Sequence, residues 1–332
     1  MATVYTIANP SLLEAVANKI RYRSNMRALA SSPPLDDTQK KILSDLKKDG
    51  CAIVPNVITE SMLGLLKSDL QRALEELKFA GTPYLDRSKI DPSKHPPLKK
   101  IMLMSPGELK KMGLAIDGKD FRSYQQVIDD FSPPELAVHM LEHSDVFRSL
   151  WLSPYLLSIV AHYMGLVPQL VEAYVRRSFP SPHRIANNYW HRDCVDHKIY
   201  LLKIFFFLTD CTGETGPHEY IRGSCTEKDK LKILNGKRFY EDVELDAVYP
   251  EKSAERVVSI VPAGTIFIED TRGLHRAHIL TSGCRDLGYA VFKPAPKNMP
   301  PYYKLPGSSY EKLNSFQKLF VPEQCVASAA DT

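Results

Sequence analysis

Residues able to do chemistry are most concentrated at YWHRD, residues 189–193. On an extended strand His191 and Asp193 stand two apart, so both side chains leave the same face. A neutral imidazole beside a carboxylate, with water completing the shell, suits a divalent first-row metal. A second histidine from a neighbouring strand would make a facial triad, which leaves three positions open for an oxidant and a co-substrate. Read alone, H-x-D is a weak signal and fits a hydrogen-bonded histidine followed by a turn-capping aspartate.

A partner stands downstream. After AGTIFIEDTRGL comes His275, in a second strand context. His278 has the opposite parity on a strand and reads as structural. Arg285 opens the following strand, RDLGYAVF. An arginine buried beside a metal site needs an anionic partner, and its planar fork suits a carboxylate. The diacid 2-oxoglutarate carries such a carboxylate at one end and a metal-chelating keto acid at the other. By itself Arg285 also fits a solvated strand end. His218, after Gly216-Pro217, falls at a strand start and is left unassigned.

Together these segments resemble the phytanoyl-CoA dioxygenase family of Fe(II)/2-oxoglutarate oxygenases, over roughly residues 46–293. The resemblance is carried by DGCAIVPNVITESMLGLL, WHRD, LKIFFFLTDCTGETGPHEYIRGS, GTIFIEDTRGLHRA and the Arg285 strand. The spacings from Gly264 to His275 and from His275 to Arg285 follow the family pattern. It implies a mainly β fold with helices, a double-stranded β-helix (jelly-roll, cupin-like) core packed by N-terminal helices. It implies iron held by His191, Asp193 and His275, with 2-oxoglutarate and O₂ as co-substrates and Arg285 on the 2-oxoglutarate tail. Positions in relatives add Arg176 and Lys203 as co-substrate contacts. Arg176 adjoins Arg177, and only one of them points inward on a regular strand; Arg176 is the residue chosen here.

The expected reaction is hydroxylation of a C–H bond with release of succinate and CO₂. Asp193 fills the position a halide would need, which argues against a halogenase. Two departures stand out. Relatives commonly read P-G-S-H where this chain has Arg222-Gly223-Ser224-Cys225, and Ala277 lacks the hydroxyl that some relatives aim at 2-oxoglutarate.

The surrounding elements follow from periodicity. Residues 37–49 before Gly50, and a helix capped by Thr59 running to about Lys78, read as helices; Met62, Leu66, Leu70, Ala73 and Leu77 share one face of the second. Residues 82–135 read as loops with short helices, and Glu135 to Met164 as helical. After Leu166 come short runs rich in Val, Ile, Phe and Tyr, as strands of a sandwich or jelly roll look. KIFFFLTD is apolar throughout, as a strand buried on both faces should be. The expected organisation is a helical region over 1–165, a catalytic core over 166–298 with a charged excursion at 226–250, and an extension over 299–332, in one structural domain.

Bulk composition narrows the class. With 332 residues, 44% hydrophobic and 25% charged, the chain can bury a sizeable core, and a net charge of +4 points away from nucleic acid. Six scattered cysteines fit reduced thiols. No signal peptide and no apolar run of 18 residues is visible, so the expectation is a soluble, cytoplasmic enzyme with a small-molecule, lipid or sugar substrate. Its choice is expected in the loops 82–130 and 226–250. Three features compete with this reading. His139, Glu142 and His143 match an inverted zincin motif, H-x-x-E-H, on an expected helix. Residues 87–119 carry a basic excess, read as a solvated face. Leu12 to Leu29 mixes apolar and basic residues and reads as a packed peripheral helix before a membrane-surface one. A metal-binding cupin without turnover, or a barrel isomerase or lyase working without O₂, are the alternative functions.

Overall fold

The computed structural model describes residues 20, 22–80, 89–97, 101, 106–114, 121–131, 133–181, 184–193, 201–226, 239–294 and 303–327. Half of the 12–29 stretch, a smaller part of the 87–119 stretch, about half of the 226–250 excursion, and Cys194 therefore lie outside the described residues.

The strands are β1 (Cys51–Val54), β2 (Phe79–Ala80), β3 (Phe121–Arg122), β4 (Glu135–Val138), β5 (Gln169–Ser178), β6 (Trp190–His191), β7 (Leu202–Phe207), β8 (His218–Ile221), β9 (Phe239–Tyr240), β10 (Arg256–Val258), β11 (Ile266–Asp270), β12 (His275–Ala277) and β13 (Arg285–Lys293). Two antiparallel sheets carry the site. The larger runs β1-β11-β7-β13-β5-β4 and the smaller β10-β8-β12-β6-β9.

Strand alternation gives the large sheet two different faces. Ile204, Phe206, Ile266, Ile268, Ala290 and Phe292 point one way, into an apolar core shared with the helices. Phe205, Phe207, Phe267, Leu287 and Tyr289 point the other way and cluster with Tyr220 of the small sheet. A run that reads as uniformly apolar thus serves two cores.

The helices behind the sheet start and stop where local chemistry dictates. Asp36 closes a capping box with Gln39 at the head of Asp37–Asp49, and Gly50 ends it at φ 77°, a conformation that costs glycine nothing. Thr59 accepts from the Met62 amide at the head of Glu60–Glu76, whose Leu66, Leu70 and Ala73 are buried.

One expectation is corrected. Glu135 to Met164 is not helical throughout: Glu135–Val138 is the edge strand β4, paired with β5 through Ala137 and Arg176. Pro133 and Pro134 precede it, Leu136 and Val138 face the core, and β5 offers an open edge. Helix resumes only at Asp145–Trp151 and Pro154–Met164. The H-x-x-E-H match falls in the turns between, where its histidines do not share a helical face. Together with β1, β4 makes the first 165 residues contributors of two strands to the large sheet.

Candidate metal centre

His191 and His275 are direct cross-strand partners in the β6–β12 pair. Their rings lie 4.3 Å apart between centroids. β6 ends at His191, so Asp193 stands beyond the strand rather than on it; its amide donates to the Thr271 carbonyl at 3.1 Å, which returns the carboxylate to the histidines. Asp193 Oδ1 lies 3.9 Å from His191 Nε2, and Oδ2 lies 3.8 Å from His275 Nε2. One ligand atom from each of the three residues lies within 4.8 Å of the others.

The tautomers are set from behind. His191 Nδ1 donates to the Tyr189 carbonyl at 2.7 Å, and His275 Nδ1 to the Gly273 carbonyl at 3.0 Å. Each Nε2 is then left with its lone pair, as metal-bound imidazoles require. Gly273 is glycine for a steric reason: a Cβ there would meet the Tyr220 hydroxyl at 2.1 Å. Burial pushes both imidazoles down, each to about 4, so they are neutral near pH 7. Burial opposes the charge on Asp193, yet Lys203 and the two histidines hold its carboxyl well below the usual range. Two neutral imidazoles and one ionised carboxylate form a donor set that fits a divalent first-row metal. His275 Nε2 is buried with no hydrogen-bond partner among the described residues, so its lone pair is not engaged by the protein there.

The other expected residues divide. Arg285 is buried, and its Nε and Nη1 find no hydrogen-bond partner among the described residues. Arg176 shares its face of the sheet: it lies over the Tyr289 ring at 4.5 Å, donates to the Tyr174 hydroxyl at 3.0 Å and meets Glu135 at 3.3 Å. Arg177 points the other way into a two-pronged bond with Asp286 at 2.7 and 2.8 Å. A small pocket, with a cavity volume of about 30 Å³, is lined by Arg176, Arg285, Glu135, Ser178, Asn188 and Ala277. Lys203 is not among its lining residues. Its ammonium sits 2.7 Å from Asp193 Oδ2.

His278 turns to the outer face and bonds Glu219 at 2.8 Å. His218 turns inward, its Nε2 2.7 Å from Glu269 Oε2. Glu269 was not singled out in the sequence, although an acidic residue at the inward parity of an apolar strand is a signal. Burial raises its carboxyl to about 7.

The phytanoyl-CoA dioxygenase family model matches residues 46–286. The chain belongs to that family. It is therefore a non-haem oxygenase dependent on Fe(II) and 2-oxoglutarate and using O₂. No curated protein sequence matches the chain. Among solved structures, EctD from S. alaskensis, crystallised with 2-oxoglutarate and 5-hydroxyectoine, is 13% identical with a TM-score of 0.50, covering 90% of this chain and 89% of that one. The carbocyclase SnoK from nogalamycin biosynthesis is 19% identical with a TM-score of 0.47, covering 77% and 84%. HygX from Streptomyces hygroscopicus, with nickel and 2-oxoglutarate, is 15% identical with a TM-score of 0.46, covering 79% and 88%. The likeness to EctD is one of fold. Among the described residues no helix is long and apolar enough to cross a membrane.

Proposed function

We propose that His191, Asp193 and His275 hold the iron, that Arg285 with Arg176 behind it takes the far carboxylate of 2-oxoglutarate, and that the reaction hydroxylates a C–H bond of a small molecule, lipid or sugar. One observation carries the reading: three ligand atoms converge across the β6–β12 pair while Arg285 keeps two buried donors unpaired. With iron, 2-oxoglutarate and O₂ bound, conversion of the co-substrate to succinate and CO₂ supplies the oxidant.

The chain's own residues have three tasks. The two histidines and Asp193 fix the metal on one side. Arg285 anchors the co-substrate tail with a charge-assisted fork, which orients the keto acid toward the metal. The buried surroundings exclude water, since Phe205, Phe207 and Phe267 line the space between the sheets. In the same reading the two sheets form a double-stranded β-helix, residues 166–298 are the catalytic core of one domain, and the flanking 1–165 and 299–332 pack around it. The free thiols among the described cysteines are in keeping with a cytoplasmic enzyme.

The test is succinate formation from 2-oxoglutarate by purified protein with Fe(II) and O₂, over a broad substrate panel. Wild type is expected to form it and His191→Ala to form none. Succinate from His191→Ala at the wild-type rate would sink the assignment.

A further inference from the structure

The floor beneath the metal ligands is polar where the pleat leads one to expect apolar side chains. On β7 and β11 the positions facing the small sheet are Lys203, Phe205 and Phe207, and Phe267 and Glu269. The three phenylalanines join the inner apolar cluster. Lys203 and Glu269 stand directly opposite each other in the register. Lys203 Nζ reaches Asp193 Oδ2 at 2.7 Å. Glu269 is fully buried; its Oε2 bonds His218 while its Oε1, without a hydrogen-bond partner among the described residues, lies 4.0 Å from His275 Nε2. Ionisable groups held in this floor, Glu269 fully buried and Lys203 largely so, are costly to desolvate, whereas apolar residues of like volume are often neutral or better for stability. Fold stability therefore does not explain them.

We propose that Lys203 is a positioning residue of the metal centre, engaging Asp193 Oδ2 so that this carboxylate presents one oxygen, Oδ1, to the metal. Glu269 stands opposite Lys203 in the strand register, and His218 holds Glu269. The consequence is a matter of counting positions. Two histidines and a one-oxygen carboxylate leave three of six positions, two for a chelating keto acid and one for O₂. A carboxylate binding through both oxygens would close one of them. The inference rests on the proposed ligands, and it replaces the expected co-substrate contact of Lys203 with a role at the metal end.

Cobalt(II) tests it, because its visible absorption reports coordination number before any co-substrate is added. Lys203→Met should change the Co(II) spectrum and shift Co(II) affinity by about tenfold, because the carboxylate has lost the partner that orients it. It should also weaken 2-oxoglutarate binding to the Co(II) protein by about tenfold or more. Lys203→Gln, whose amide can still bond Asp193, should restore the wild-type spectrum, and thermal melts establish that both variants fold. An unchanged Co(II) spectrum and affinity in Lys203→Met overturns the proposal. If 2-oxoglutarate binding alone has then weakened, Lys203 is a co-substrate ligand; if nothing has changed, it is a bystander. Wild-type protein that fails to bind Co(II), or His191→Ala that binds it equally well, removes the ligand assignment itself.

Discussion

The two faces of the large sheet treat charge in opposite ways. Toward the helices stand Ile204, Phe206, Ile266, Ile268, Ala290 and Phe292, and the two carboxylates on that face are each met by an arginine: Asp286 by Arg177, Asp270 by Arg272. Tyr163 from the helix layer donates a further bond to Asp270 at 3.0 Å. Toward the small sheet stand Lys203, Glu269, Arg176 and Arg285, and there the accounts do not close. Arg285 keeps two unpaired donors and Glu269 an unpaired acceptor among the described residues. Unpaired buried polar atoms cost roughly 1–3 kcal/mol each. A face that leaves atoms of charged side chains unpaired is shaped for something the chain itself does not supply. The outer face holds the fold together, and the inner face gives up stability to keep a site open.

That contrast is open to attack from both sides. On the helix face, Phe206 is buried edge-on against Trp151 at 6.1 Å and against Gly288. Phe206→Ala should cost about 3–5 kcal/mol in denaturant unfolding, while the folded protein binds metal as wild type does. A loss of metal binding at full stability would erase the distinction between the faces.

On the inner face, Arg285→Met should act the other way round. It should weaken 2-oxoglutarate binding by about 2–4 kcal/mol, roughly a hundredfold, because the tail carboxylate loses its partner. Without ligand it should melt at or above the wild-type temperature, since two buried unsatisfied donors have gone. 2-Oxoglutarate at a concentration that just saturates wild type should stabilise it clearly and the variant hardly at all. A variant less stable than wild type in the absence of ligand would show that Arg285 holds the fold, and the comparison would fail.

Local signals made much of this legible. Asp36 and Gly50 bracket their helix, Thr59 opens the next, and the strands from Gln169 onward stand where Val, Ile and Phe runs meet Gly, Pro and Asp. His191 and Asp193 were visible because two-residue spacing carries its own geometry, although Asp193 reaches its place through the Thr271 carbonyl rather than by strand pleat. What stayed hidden depends on partners distant in the chain. ELAV at 135–138 is a strand because β5 has a free edge, a fact no local window contains. Arg176 and Arg177 differ only in which face each meets, and parity cannot say which face is inner. Glu269 escaped notice because it sits at the end of an apolar run, where an acidic residue reads as a strand terminus; β11 continues past it through Asp270.

The smallest expected effect tests the motif that most nearly competed. His139, Glu142 and His143 match a zinc-binding pattern in letters, but that pattern works only when a helix stacks residues four apart on one face. Here Glu135–Val138 is sheet, and residues 139–143 turn toward the helix that starts at Asp145. His139 instead sets its ring edge against Tyr174 at 6.1 Å, and Glu142 accepts from the Lys304 amide at 3.0 Å. Burial lowers the His139 imidazole, so it is neutral near pH 7 and packs as an aromatic. His139→Ala should therefore change 2-oxoglutarate turnover less than about threefold and cost only about 1 kcal/mol in stability. Loss of turnover comparable to that of His191→Ala would mean that the inner face extends through Tyr174 to this turn.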